Sequence, residues 1–133
     1  MVEIPASHKD LIDRPIVVTL ATIMPDGTPQ ANPVWFDYDG QYVRINTARG
    51  RQKDENMEER PHVSILSVDP DNPYRYLEVR GRIAEVTEEG GDEHIELLSR
   101  KYTGEQYFTA SNPKGAQVRV IYKIEPTRVL TRG

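Results

Sequence analysis

The run Ile16-Val-Val-Thr-Leu-Ala-Thr-Ile-Met24, then Pro25-Asp26-Gly27, then Thr28-Pro-Gln-Ala-Asn-Pro-Val-Trp-Phe-Asp-Tyr38, decides how this chain folds. Its first segment is rich in β-branched side chains and apolar on both faces, which reads as a buried strand. Proline presets φ at the first corner of a turn and glycine accepts a positive φ, so Pro25-Asp26-Gly27 reverses the chain. A second strand runs from about Thr28 to Tyr38, and Asp39-Gly40 makes a hairpin turn into a third. Strands joined by such short turns pair antiparallel, because parallel pairs need long crossovers.

Outward from this run the pattern continues. Upstream, Ser7 is placed to cap a short helix through Ile12, which Pro15 ends. Downstream, Tyr42–Thr47 is strand-like and gives way to helix-like Gln52–Glu59. His62–Val68 is another strand, Asp69–Pro73 a loop, and Tyr74–Val86 a long strand with Gly81 as a bulge. Asp92–Tyr102 is an amphipathic helix with Ile95, Leu98 and Tyr102 on one face, stopped by Gly104. A less regular segment then leads to Val118–Ile124, which alternates as a strand should. Pro126 interrupts it, leaving Arg128–Leu130 as a final short strand. Six or seven hairpin-connected strands with few helices predict a mainly β fold, an antiparallel barrel closed or half closed. The 133 residues are read as a single domain, 1–133, large enough for a real core.

Composition excludes several functions. There are no cysteines, which rules out disulfides, thiolate catalysis and Cys-ligated metal. His8, His62 and His94 are scattered without metal-type spacing, so no metal site is expected. A net charge of -4 argues against general nucleic-acid or anionic-membrane binding. No apolar run approaches the roughly 18 residues of a membrane span, and the start lacks the apolar segment of a signal peptide. A cytoplasmic protein is the expectation. There is no Walker loop, no Gly-x-Gly-x-x-Gly and no Ser/His/Asp arrangement to argue from. If the chain is an enzyme, its reactive group arrives with a cofactor.

Two stretches carry chemistry. Four basic side chains, Arg44, Arg49, Arg51 and Lys53, fall within ten positions, whereas none occurs between Pro15 and Val43. They sit where a strand passes into a helix, and free N–H groups at a helix start flanked by cations suit a phosphate. A solvated helix end is the competing reading. The second stretch is the strand carrying Pro29 and Pro33. Proline cannot donate to a ladder, so Pro33 belongs on an edge, at a bulge, or where a ligand meets the backbone. Gln30 and Asn32 share one face of that strand and offer donors and acceptors suited to the rim of a heteroaromatic ring. Trp35 reads as core or interface in preference to ligand contact.

The order Leu20-Ala-Thr-Ile-x-Pro-Asp-Gly-x-Pro-Gln-x-x-Pro-Val-Trp-Phe36, then Asn46-Thr-Ala-Arg-Gly-Arg-x-Lys-x-x-Asn56, then Pro61-x-Val-Ser-Ile65 resembles the pyridoxamine 5'-phosphate oxidase-like superfamily. More narrowly it is similar to the branch of flavin/deazaflavin oxidoreductases (B type) that bind coenzyme F420. Arg119-Val-x-Tyr-Lys-Ile-x-Pro126 resembles that family's last long strand, so the likeness spans nearly the whole chain. It implies the FMN-binding split-barrel fold, a split β-barrel of six to seven antiparallel strands. It also implies a homodimer with two cofactor sites at the subunit interface. Carried over residue by residue, Arg51 and Lys53 hold the phosphate, with Asn46, Thr47 and Ala48 alongside. Gln30, Asn32, Pro33 and Val34 line the tricyclic ring. Tyr74 and Tyr76 reach the partner's site, and Asn56 lies near the phosphates or supports the turn.

The chain departs from true pyridoxamine-phosphate oxidases in lacking their C-terminal Arg-Leu-x-Pro-like segment and the basic residues they carry on the second strand. That favours the deazaflavin over FMN. The resemblance therefore implies an F420-dependent oxidoreductase passing a hydride between reduced deazaflavin and a small conjugated substrate such as an enone, quinone or tetrapyrrole. The alternatives are an FMN-dependent reductase or oxidase, or a non-catalytic flavin- or haem-binding protein of the same fold.

Overall fold

The computed structural model describes residues 2–133. Seven strands form one antiparallel sheet: β1 (Val18–Ile23), β2 (Pro29–Val34), β3 (Phe36–Tyr38), β4 (Val43–Ala48), β5 (His62–Val68), β6 (Tyr76–Thr87) and β7 (Arg119–Arg132). Three helices accompany them: α1 (Asp10–Asp13), α2 (Gln52–Glu59) and α3 (Gly91–Thr103). The sheet order is β2-β1-β5-β6-β7-β4-β3. Its two edges, β2 and β3, are thus neighbours in sequence with only Trp35 between them. In a flat sheet at about 4.8 Å per strand the edges would lie about 29 Å apart. Two consecutive peptide units span no more than about 7 Å. The sheet must therefore curl until its edges meet at Trp35, which makes a split barrel.

The predicted second strand accordingly divides. It pairs with β1 as far as Val34↔Val18, then changes partner and pairs with β4 from Phe36↔Ile45. A side chain serves the backbone at the crossing. Tyr102 Oη accepts from Phe36 N at 3.3 Å and donates to Ile16 O at 2.6 Å. Pro33 sits on an edge strand, as its missing N–H requires.

Pro126 does not end the last strand, contrary to expectation. β4 pairs with β7 only up to Ile124, so from there β7 has β6 on one side alone. A proline there sacrifices no ladder bond on the open side. The register also shifts at Arg80/Gly81, where Gly81 faces Pro126. A Cβ at Gly81 would stand 2.7 Å from Glu125 O, so only glycine permits this close approach of β6 to β7 at the register shift. Ser7 caps nothing. It lies inside a 3₁₀ turn (Ala6–His8), its hydroxyl 2.8 Å from His8 Nδ1, and α1 begins only at Asp10.

The barrel interior holds Val18, Leu20, Phe36, Val43, Ile45, Val120, Tyr122 and Ile124. Leu11 and Ile12 of α1 and Met57 of α2 join that core. α3 packs outside, against β7 and β4.

Candidate functional site

α3 is brought onto β7 by Gly91. A Cβ there would run into the Arg119 carbonyl, 2.7 Å from its carbon, so glycine alone allows the helix start to lie on that strand. This close approach leaves a cleft between α3 and the barrel's split, of about 330 Å³. One wall is apolar: Val17, Pro33, Val34 and Trp35 from the split, Ile95 and Leu98 from α3. The Trp35 indole stacks on Tyr102, centroids 5.3 Å apart and planes 15° off parallel. The other end is cationic, formed by Arg51, Lys53 and Arg119 beside Asn46 and Tyr107.

The β4–α2 turn that carries Arg51 and Lys53 is held from below. Asp54 accepts from Gly50 N at 2.9 Å, from Arg49 Nη1 at 3.0 Å and from Tyr122 Oη at 2.5 Å. Asn56 is fully buried, donating to Thr22 and Gln30 and accepting from Gln52 and Arg60. Arg51 is the residue before the first turn of α2, in extended conformation, and no side chain caps that turn. The helix start therefore presents free N–H groups between two cations.

The four cations of the sequence cluster separate cleanly. Arg44 pairs with Asp37 through Nε at 2.9 Å and Nη2 at 2.6 Å. Asp37's hydrogen bond also holds the Arg44 guanidinium above its ordinary value. Arg49 is neutralised by Asp54, Glu58 and Glu88. Arg51 and Lys53 make no ion pair among the described residues, and neither does Arg119, which is 5% exposed. Burial, then the charges of Arg51 and Arg119, push the Lys53 amine below its ordinary value. Burial chiefly, with Arg51 adding to it, does the same to Arg119. Three cations repelling one another in a half-buried cleft store unfavourable energy that an anion relieves.

Of the residues singled out in the sequence, the cleft assembles Pro33, Val34, Asn46, Arg51 and Lys53. Gln30 and Asn32 do share a face, but it is the one opposite Thr22 and Leu20, turned to the barrel interior. Gln30 is bound to Asn56 and Thr22. Asn32 Oδ1 is buried without a partner among the described residues. Thr47 likewise points inward, its hydroxyl buried and unpartnered, and Ala48 pairs with Arg119 across the ladder. Asn56 supports the turn. Tyr74 is 79% exposed on the β5–β6 loop, and neither it nor Tyr76 lines the cleft of its own chain.

Sequence reasoning missed Arg119, Tyr107, Ile95 and Leu98 as cleft residues and read Trp35 as core or interface. The signal for Arg119 was a cation on the same strand face as buried Ile121, where an apolar side chain is the rule. Tyr107 gave no signal, since it lies in an irregular segment. Glu96, accepting from Tyr107 N and Phe108 N, and Asn112, donating to Tyr107 O, hold it over Arg119, 5.4 Å from its ring.

Comparison with known proteins agrees with this fold. The sequence matches the pyridoxamine 5'-phosphate oxidase family over residues 4–133. Among solved structures, an F420 reductase is 37% identical, with 96% of this chain and 98% of that one covered and a TM-score of 0.85. The conserved hypothetical protein Rv2991 of Mycobacterium tuberculosis is 27% identical over 99% of this chain and 86% of its own, TM-score 0.78. HupZ from Group A Streptococcus, 22% identical over 97% and 94% with a TM-score of 0.68, shares the fold. A search among curated proteins finds no match. The chain belongs to the pyridoxamine 5'-phosphate oxidase family.

Proposed function

We propose that this protein is an F420-dependent oxidoreductase acting on a small conjugated substrate such as an enone, a quinone or a tetrapyrrole. The observation that carries this reading is the cleft's polarity. Three cations without carboxylate partners stand at one end, and a flat apolar wall with an exposed strand edge stands at the other. That arrangement suits a ligand with a phosphate at one end and a planar heterocycle at the other. The likeness to an F420 reductase at 37% identity supports the deazaflavin as that ligand.

Arg51, Lys53 and Arg119 would hold the phosphate, with the uncapped start of α2 beneath it. Val34, Trp35, Ile95 and Leu98 would keep water from the ring. When bound, the deazaflavin supplies the hydride. The chain's share of the work is binding, orientation and exclusion of water. No helix among the described residues is long and apolar enough to cross a membrane, and we assign the protein to the cytoplasm.

We further assign it a homodimeric state. Val68 and Tyr76 pair side by side on the outer face of the sheet, with exposed Leu66 two residues along β5 and exposed Val17 just before β1. Such a stripe, with exposed Tyr74 beside it, suits a second copy whose cleft the two tyrosines would complete.

A titration of F420 against FMN under matched conditions, read by fluorescence, tests the assignment. F420 is expected to bind in the micromolar range or tighter and FMN more weakly. FMN binding the tighter would move the protein to the FMN-dependent alternative. Affinity for neither would overturn the reading.

A further inference from the structure

Behind the cationic end runs a chain of buried hydrogen bonds that reaches from β3 to β7. Asn46 Nδ2 donates to Gly91 O at 2.9 Å, and Asn46 Oδ1 accepts from Arg119 Nε at 2.9 Å. A carbonyl only accepts and a guanidinium only donates, so these two partners settle which way the amide points. Nδ2 also lies 3.2 Å from His94 Nδ1. Since Nδ2 can only donate, Nδ1 must accept, and the imidazole proton resides on Nε2. Nε2 is 3.0 Å from Asp37 Oδ1, which takes that proton's hydrogen bond. Asp37 is anchored in turn by both arms of Arg44. His94 is 4% exposed and Asn46 8%.

We propose that His94 is a positioning residue for the anion end of the cleft. As the Nε2–H tautomer it accepts from Asn46 and holds the amide in the orientation that engages Arg119 Nε. With Nε pinned, Arg119 keeps an Nη group without a partner among the described residues, and that edge is left for the ligand. A ring protonated on Nδ1 would face Asn46 Nδ2 donor to donor. The amide would have to turn, and its NH₂ would then meet the guanidinium. The charged groups around the ring are Asp37 on β3 and Arg44 on β4 behind it, with Arg119 on β7 beyond Asn46. Lys101 on α3 also lies near enough to feel Asp37's charge.

In its effect on binding, this inference rests on the cleft being the F420 site; in its geometry it does not. Two substitutions separate the contacts of the ring. In His94→Asn the amide oxygen occupies the place of Nδ1 and still accepts from Asn46. In His94→Gln the amide nitrogen occupies the place of Nε2 and keeps only the bond to Asp37. The first readout is solvent exchange of the Arg119 Nε proton by ¹H–¹⁵N NMR in ligand-free protein. Slow exchange is expected in the parent and in His94→Asn, and fast exchange in His94→Gln.

The second readout is F420 affinity, expected to fall about tenfold or more in His94→Gln and less than about threefold in His94→Asn. Equal behaviour of the two variants, or loss in His94→Asn alone, overturns the proposal. Should neither variant fold, the imidazole ¹⁵N shifts of the parent decide. A bare Nδ1 with a protonated Nε2 supports the proposal, and a proton on Nδ1 overturns it. A parent that binds no F420 but shows a slowly exchanging Arg119 Nε proton contradicts the functional reading and leaves the positioning role supported.

Discussion

Arg51 and Lys53 stand out in the cleft by charge left unpaired, which the charge density of their stretch does not reveal. Arg44 and Arg49, in the same short stretch, have their carboxylates and are structural. Removing both Arg51 and Lys53 as Arg51→Ala with Lys53→Ala should weaken cofactor binding by about 2–4 kcal/mol, measured by titration. Arg51→Ala alone should leave the ligand-free melting temperature unchanged or higher, because it relieves repulsion with Lys53 and Arg119. Lys53 also sets a pH signature. Its amine lies below the ordinary 10.5, so affinity is retained while it is protonated and lost as pH rises through that lowered value. Ligand-free stability moves the other way over the same window, rising with pH, because the unfolded chain binds the proton more tightly there. In affinity profiles against pH, Lys53→Arg should carry the loss to higher pH, since a guanidinium stays charged.

At the scale of elements, the site depends on one close approach and one braced turn. Gly91 lets α3 lie against Arg119, and everything in the cleft that comes from α3 follows from that contact. Gly91→Ala should destabilise the fold by about 1–3 kcal/mol, read from the denaturant midpoint, as overpacking does. It should weaken cofactor binding as well, because the helix that carries Ile95, Leu98 and His94 must move outward. The β4–α2 turn is braced by Asp54 and Asn56, neither of which needs to touch a ligand. Bracing the turn thus falls to Asp54 and Asn56, which leaves Arg51 and Lys53 on the cleft side without ion pairs.

For the whole molecule, the determining fact is that sequence neighbours β2 and β3 lie at opposite edges of a seven-stranded sheet. Curling is then obligatory, and the seam where the edges meet becomes the apolar half of the cleft. The outer face of β1 and β5 carries the apolar stripe through Val17 and Leu66. Sedimentation should give a dimer for the parent. Leu66→Glu should yield a monomer with weaker cofactor affinity, because Tyr74 and Tyr76 would no longer reach a neighbouring cleft. A monomeric parent would return those tyrosines to the open surface.

The amino-acid pattern by itself determined the antiparallel, hairpin-connected class. Turn chemistry at Pro25-Asp26-Gly27 and alternation over the first half of β7 are local properties, and local physics reads them correctly. It also located α2 and the bulge at Gly81, and the missing donor narrowed Pro33 to an edge, a bulge or a ligand-facing position, of which the fold chose the edge. The family motifs were legible in the same way, since they lie in continuous stretches. Tertiary structure alone decided the rest. Pro126 is harmless because β4 happens to end its pairing at Ile124, which no property of the proline foretells. Arg44 and Arg49 are structural while Arg51 and Lys53 are not, because carboxylates from β3, α2 and the loop before α3 arrive at two of them and miss the others. Arg119 enters the site from 66 positions beyond Lys53, through the long-range pairing of β4 with β7. Secondary structure is settled by neighbours along the chain, whereas the charge state and reach of a binding cleft are settled by neighbours in space.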